Sequence, residues 1–196
     1  MNRIEAVVEG ITSPHIVRVA NKKDGSQRGA VFSLYDPATD DDAPFRYLLW
    51  DIWDEVLPIW AFIMMNPSEA THLKTDPTVT RQRTRARNGG AGGIVIMNSG
   101  AIRDPYSTNL KNHADCIGPY NREWIAAVAP VCDNHICGWG KEAMRFGGAQ
   151  MVAGVFKELG ITLKCFAVNK DGTPKHPLYV GYDVVPIPYT LPEGKP

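Results

Sequence analysis

Four short apolar runs, each followed by polar or glycine residues, dominate the middle of the chain. They cover residues 60–65, 93–98, 135–140 and 162–168, and segments with helical character separate them. Short apolar runs without alternation are typical of parallel strands that are buried on both faces. The chain therefore belongs to the α/β class, with a predicted central parallel four-stranded sheet and helices on both faces.

The helix predicted at residues 77–88 has the clearest boundaries in the chain. Asp76 can accept a hydrogen bond from an early helical N–H group, and Pro77 suits the first helical position. Gly89 and Gly90 supply the left-handed conformation that commonly ends a helix. Two further helices are predicted, at residues 121–131 and 141–159.

The first part of the chain is predicted to be rich in β-structure. Apolar and acidic residues partly alternate over residues 4–9, and two further apolar segments at 16–20 and 30–35 flank a turn. These segments predict an antiparallel meander. Residues 36–44 hold four Asp and two Pro, which favour an exposed loop.

Length and composition limit the classes of protein that the chain can represent. A chain of 196 residues suits a single domain, here with a β-rich extension (1–44), an α/β core (45–180) and a Pro-rich tail (181–196). Its net charge of zero excludes the global basic field of a non-specific nucleic-acid binder. The chain has neither an apolar run long enough to span a membrane nor a signal-peptide core, so we expect a cytoplasmic protein without a membrane partner and with reduced cysteines.

The ends of the four predicted strands carry polar, aromatic and glycine residues. Parallel α/β sheets bind ligands at the carboxyl ends of their strands, so we expect these tips to meet at one rim. The tips are Asn66-Pro67-Ser68, Asn98-Ser99-Gly100, Trp139-Gly140 and the segment from Asn169 to His176.

Several side chains at this rim could carry chemistry. Asn66, Ser68 and Asn98 offer donors and acceptors to a planar polar ligand. His176 is a candidate general acid or base, and Asp76 adds a carboxylate next to Asn66. Each has a structural alternative, since Asn-Pro-Ser forms turns, Asp caps helices and single histidines are often structural. The aromatic candidates for stacking on a base or sugar, which could equally pack in the core, are Trp139 and Tyr179.

The helix at 77–88 carries arginines at alternate positions. Arg81 and Arg85 share one face, and Arg83 and Arg87 share a roughly opposite one. The first pair could line the site and bind phosphate, because the guanidinium group suits that geometry. The alternative is a solvated cationic face.

No metal or cofactor site is predicted. The segment from Cys132 to Cys137 includes His135, but no second close pair of ligands follows. The glycine run at 89–93 precedes a strand, whereas a dinucleotide-binding loop follows one.

Several motifs together resemble a bacterial and phage family known as domain of unknown function 1643. The resemblance covers roughly residues 45–180. It rests on Met64-Met-Asn-Pro-Ser68, Asp76-Pro-Thr78, Asn98, Asn121, Trp139-Gly140 and Gly172-Thr-Pro-Lys-His-Pro-Leu-Tyr179.

Two of these motifs also resemble uracil-DNA glycosylase-like proteins. Asn66-Pro67-Ser68 is similar to their early Asn-Pro motif, and His176-Pro177-Leu178 to their late His-Pro-Ser loop. Met65 and Leu178 depart from that pattern. The relatives' Ser at the latter position contacts the DNA backbone, so its absence weakens the expectation of a DNA substrate.

The resemblance implies an enzyme that processes a base at an N-glycosidic bond. Asn66 or Asp76 would position a water or stabilise the sugar cation, and His176 would donate to the departing base. The substrate contacts would come from Ser68, Arg81, Arg85, Asn98, Trp139 and Tyr179.

The implied partner is a nucleotide or a nucleic acid, including single-stranded or modified DNA. Two alternatives stay open: a non-catalytic module that binds a nucleotide or modified base, and a nucleotide-processing transferase or hydrolase. The sequence leaves the oligomeric state open.

Overall fold

The computed structural model describes residues 1–34 and 43–192. Most of the loop predicted at 36–44, and residues 193–196 of the predicted tail, lie outside the described residues. Within the described ranges the chain forms one large mixed sheet and four α-helices. No helix of the described residues has the length and apolar character needed to cross a membrane.

The sheet has eight strands in the order β1-β2-β3-β5-β4-β6-β7-β8. Their bounds are His15–Asn21 (β1), Gln27–Ser33 (β2), Arg46–Ile52 (β3), Ile59–Met64 (β4), Gly93–Asn98 (β5), Asn134–Cys137 (β6), Lys164–Cys165 (β7) and Ile187–Pro188 (β8).

The sequence predicted a central four-stranded parallel sheet, but the protein has one mixed sheet of eight described strands. Among the described strands, four of the seven pairings are antiparallel and three are parallel. β4 forms extended parallel ladders with β5 and β6, whereas β7 joins β6 through one registered pair, Ile136 and Lys164. β7 is short because the following residues pair with their own return segment: the Lys175 N–H donates to the Ala167 carbonyl at 2.8 Å.

The first predicted strand is a helix, α1, at Arg3–Gly10. The Asn2 side chain accepts hydrogen bonds from the N–H groups of Ile4 and Glu5, and the Glu5 carboxylate accepts from the Asn2 N–H. This capping box starts a helix locally. Ile4 and Val8 are four residues apart, and this spacing puts two side chains on the same face of a helix as well as on the same face of a strand. The alternation therefore did not distinguish a helix from a strand. The next two predicted strands do form an antiparallel pair, β1 and β2.

The other helices are α2 (Pro77–Asn88), α3 (Asn121–Val128) and α4 (Gly148–Glu158). α2 has the predicted bounds. α4 begins later than predicted because Gly147 adopts a left-handed conformation with φ of 76°, which interrupts the helix. A single 3₁₀ turn at Glu142–Met144 occupies part of the remaining segment.

The helices pack on both faces of the sheet. One core cluster joins α1, α3 and α4 to sheet residues such as Trp50 and Ile63. The second cluster joins α2 to the opposite face through residues such as Phe62 and Ile96. Successive side chains of a strand point to opposite faces of the sheet. Because helices cover both faces, every residue of β3 and β5 is buried.

A buried ion network fastens α2 to β2 and β3. Arg28 Nη2 lies 2.6 Å from Asp51 Oδ2, and the exposed fractions of the two side chains are 8% and 1%. Arg83 of α2 places its Nε 3.4 Å from the same oxygen and its Nη2 2.6 Å from Asp24 Oδ2. The hydrogen bond from Arg83 is the largest cause of a lowered pKa for Asp24.

His135 is a buried imidazole on β6. Its Nε2 donates to the Ala129 carbonyl at 2.8 Å, and its ring packs edge-on against Phe156. Burial lowers the pKa of His135, as it does for His72 and His176. These contacts hold the His135 side chain in the buried interior, where it is 6% exposed.

We expect the free energy of unfolding to fall as the pH falls below the ordinary histidine pKa of 6.5. The unfolded chain binds protons there that the buried imidazoles of the folded chain resist, so stability is present above that pH and is lost on acidification. Urea unfolding at pH 7.5 and 5.5 measures this. His135→Gln, which keeps a donor near Ala129, should reduce the difference between the two pH values; an undiminished difference would contradict the role given to His135.

Candidate active site at the ends of the central strands

A cleft of about 330 Å³ opens where β4 and β5 end and where α2 begins. It brings together the tips of three strands and the loop that contains His176. Seven of the nine sequence-predicted site residues line it: Asn66, Ser68, Asp76, Asn98, Trp139, His176 and Tyr179.

Arg81 and Arg85 do not line this cleft, so the predicted phosphate contacts are not supported by their placement. Arg81 donates to the carbonyls of Pro177 and Val180, and Arg85 to those of Val180 and Gly181. Both guanidinium groups fasten α2 to the loop that follows His176. The predicted division of the arginines into two faces is confirmed, since Arg83 and Arg87 instead contact Trp53.

Asn66 holds a neighbouring loop at the mouth of the cleft. Its Nδ2 donates to the carbonyls of Asp104 at 2.8 Å and Pro67 at 3.0 Å. These bonds fix the orientation of the side-chain amide. The Asn66 Oδ1 is therefore the polar atom that this residue has left to offer a ligand or a water.

Asp76 both caps α2 and lines the cleft. Its Oδ1 accepts from the Val79 N–H at 2.8 Å, as expected for an N-cap residue. The carboxylate is half-buried, so its second oxygen stays available. Asp76 can therefore cap α2 with one carboxylate oxygen and offer the other to a ligand in the cleft.

His176 has a fixed tautomer. Its Nδ1 accepts a hydrogen bond from the Leu178 N–H at 3.2 Å, so the ring proton of the neutral imidazole is on Nε2. Burial lowers the pKa of His176, while the Asp76 carboxylate acts in the opposite direction. At neutral pH His176 is consequently an uncharged donor in a cleft that also holds a carboxylate.

Asn98 and Trp139 lie deep in the cleft, and Ser68 and Tyr179 lie nearer its mouth. Asn98 is 1% exposed, and its Nδ2 has no hydrogen-bond partner among the described residues. The Trp139 Nε1 is also buried and unpartnered within that part of the chain, while its ring packs against Tyr189. Tyr179 is 70% exposed, so it can cover a ligand at the entrance.

Two polar residues at the cleft floor were not predicted from the sequence. Arg46, the first residue of β3, is 2% exposed and Gln82 of α2 is fully buried. Within the described ranges, neither side-chain amide atom of Gln82 has a hydrogen-bond partner, and neither does the Arg46 Nε. The available signals were a cation at the start of a mostly apolar strand, and an amide on the same helical face as Val79 and Ala86.

A larger cavity of about 570 Å³ lies beside the cleft and is lined by residues such as Leu110, Cys116 and Phe146. It is linked to the cleft through Asp104, whose Oδ2 lies 3.1 Å from the His113 Nε2. None of the described side chains that line it has a buried unpartnered polar atom. Convergent polar groups therefore favour the smaller cleft as the ligand site.

Comparison with known families gives one match. The family model described as Protein of unknown function (DUF1643) matches residues 46–178, which include the cleft residues from Arg46 to His176. No curated protein and no solved structure matches the chain.

Proposed function

The chain belongs to the family described as Protein of unknown function (DUF1643), and we propose that it is an enzyme acting at the N-glycosidic bond of a nucleotide or nucleic acid. The observation that carries the proposal is the pairing, in one cleft, of the Asp76 carboxylate with a neutral His176 whose tautomer is fixed. The resemblance of Asn66-Pro67-Ser68 and His176-Pro177-Leu178 to uracil-DNA glycosylase-like motifs supports the same reaction.

The reaction requires a donor for the base and a carboxylate for the sugar or water. The C1′–N bond breaks with its electron pair leaving on the base, where the His176 Nε2–H donates a hydrogen bond to the developing anion. A water positioned by the Asn66 Oδ1 adds to C1′, and Asp76 accepts its proton. Asp76 then releases this proton to solvent, and a proton from solvent neutralises the base.

The remaining lining residues suit substrate binding. Asn98 and Trp139 offer buried donors to the substrate, and Ser68 offers a hydroxyl at the mouth. Tyr179 can stack on a base or a sugar. A substrate that is already unpaired or free avoids the cost of extruding a base from a duplex.

A non-catalytic module that binds a nucleotide or modified base is the second candidate. The observation in its favour is the set of buried polar atoms without partners, because ligand binding alone would satisfy them. The third alternative, a transferase or hydrolase, relied on Arg81 and Arg85 as phosphate ligands, and both donate to backbone carbonyls instead.

Base release separates these candidates. Purified chain is incubated with nucleosides, nucleotides, single-stranded DNA and modified DNA, and the free base is separated by chromatography. Release from one substrate class supports the proposal. Binding without release from any substrate would favour the binding module.

Replacing Asp76 with asparagine is expected to abolish base release while leaving the fold intact. Asn caps a helix about as well as Asp, so any fall in the free energy of unfolding should come from the lost attraction between the Asp76 carboxylate and the buried Arg46 cation. Asp76→Ala should lose release and also about 1 kcal/mol of stability, because the cap is removed. Steady-state release rates and urea unfolding measure the two effects. Full activity in the Asn variant would show that Asp76 acts only as a cap.

A further inference from the structure

We propose that the floor of the cleft binds a negatively charged group of the substrate, a carboxylate or a phosphate, with Arg46 as its counter-ion. This deepens the proposed function, on which it rests for the identity of the ligand as a nucleoside derivative. The floor is formed by Arg46, Gln82 and Asn98, with Trp139 beside them.

The first observation is a buried cation that has no ion pair with any described carboxylate. Arg46 is 2% exposed, and the only hydrogen-bond partner of its side chain among the described residues is the Ala70 carbonyl, which accepts from Nη1. Burial lowers the pKa of Arg46 to about 10, so the group keeps its charge at neutral pH. Isolated buried charges are costly unless another charge compensates them.

Asp76 compensates this cation only in part. It attracts Arg46 across the cleft, but no described carboxylate lies within ion-pair distance of the guanidinium group, and the Asp76 Oδ1 already accepts from Val79. The Arg103 cation acts in the opposite direction on Arg46. The floor is thus left with a positive charge that an anion can neutralise.

The second observation is that donors predominate among the buried, unpartnered polar atoms of the residues that line the cleft. Within the described part of the chain these are four donors, Gln82 Nε2, Asn98 Nδ2, Trp139 Nε1 and Arg46 Nε, and one acceptor, Gln82 Oε1. A carboxylate or phosphate group offers only acceptors, so it satisfies this set better than a neutral base, which presents donors as well.

The walls strengthen this preference. Met64, Val79 and Ile96 line the same cleft, and the low dielectric that such residues create makes charge-assisted hydrogen bonds stronger. The inward location favours a terminal group over an internal phosphodiester, whose chain would have to continue through the floor. The matching ligands are a nucleoside monophosphate or a nucleoside whose base carries a carboxylate.

The test compares charged and neutral ligands of the same size class by calorimetry and thermal unfolding. Uridine, uridine 5′-monophosphate and orotidine, whose base carries a carboxylate, are titrated at constant ionic strength, with orthophosphate and acetate as competitors. We expect at least one charged ligand to bind about tenfold or more tightly than uridine. Competition by orthophosphate assigns a phosphate, and competition by acetate assigns a carboxylate.

Arg46→Met should remove the preference for the charged ligand, because the cation is lost while the volume is largely kept. Arg87→Met is the matched control, since Arg87 is exposed outside the cleft and stacks on Trp53. If Arg46→Met folds poorly, Gln82→Met reports on the same floor: it removes the unpartnered amide and should weaken binding of the charged ligand several-fold. Equal affinity for charged and neutral ligands, or an unchanged preference in Arg46→Met, would overturn the proposal.

The outcomes also separate this proposal from the proposed function. One outcome is that the parent chain binds the charged ligand more tightly than uridine, that Arg46→Met loses this preference, and that no substrate releases a base. This outcome would retain the anion site and reject the glycosidic reaction. Base release from the charged substrate with the same KM in the parent chain and in Arg46→Met would retain the reaction and reject the anion site.

Discussion

An Asp51→Leu chain is expected to lose about 3–5 kcal/mol of its free energy of unfolding. The substitution removes the carboxylate that pairs with the buried Arg28 and approaches Arg83, so Arg28 would be left as an uncompensated charge between the sheet and α2. Breaking a buried pair from one side is costly because the remaining ion has neither water nor a counter-ion. Equilibrium unfolding in guanidinium chloride measures the loss.

Two further variants test this explanation. Glu158→Ala removes the exposed ion pair with Arg122 and should cost less than about 1 kcal/mol. Adding Arg28→Met to Asp51→Leu removes both charges and should recover much of the lost stability, since apolar replacements of buried pairs are often neutral. A loss in Asp51→Leu no larger than in Glu158→Ala would show that the pair contributes little.

Replacing His176 with asparagine is expected to reduce base release about 100-fold or more. Asn can still accept the Leu178 N–H through its side-chain oxygen, so the loop keeps its local hydrogen bond. The donor at the position of Nε2 is lost, and with it the stabilisation of the departing base. The measurement is the single-turnover rate of release with the best substrate from the panel.

The control for this variant is His15→Asn, because His15 lies on β1 and outside the cleft. Its release rate should match that of the unsubstituted chain. Substrate affinity, measured by calorimetry, should change much less in His176→Asn than the release rate does. A release rate in His176→Asn within about twofold of the parent would remove His176 from the reaction.

The grouping of the candidate residues in one cleft could be predicted from the sequence, whereas their chemistry stays a proposal. Asp76-Pro77 fixed the start of α2 through local capping, and the rule that ligands bind at the carboxyl ends of parallel strands was enough to bring Asn66, Asn98 and His176 together. These inferences depend on backbone geometry within a few residues of each motif. They do not require knowledge of distant partners.

The parts that could not be predicted depend on contacts between distant segments. Arg81 and Arg85 looked like phosphate ligands because nothing nearby in the sequence shows that carbonyls about 95 residues later occupy them. Gln82 gave only a weak signal, its place on the same helical face as Val79 and Ala86, since an amide within a polar helix is common. The short β7 likewise reflects competition from the return segment at 173–175, which a strand pattern does not reveal.

The contacts of Arg81 and Arg85 have a consequence for how this loop tolerates substitution. Both arginines bind main-chain oxygens of Pro177, Val180 and Gly181, and a main-chain oxygen is present whatever the side chain is. The loop is therefore held in place without regard to most of its own sequence. Substitutions at Leu178 and Tyr179 would leave these hydrogen bonds in place, and His176 would stay in register with the helix that begins at Asp76.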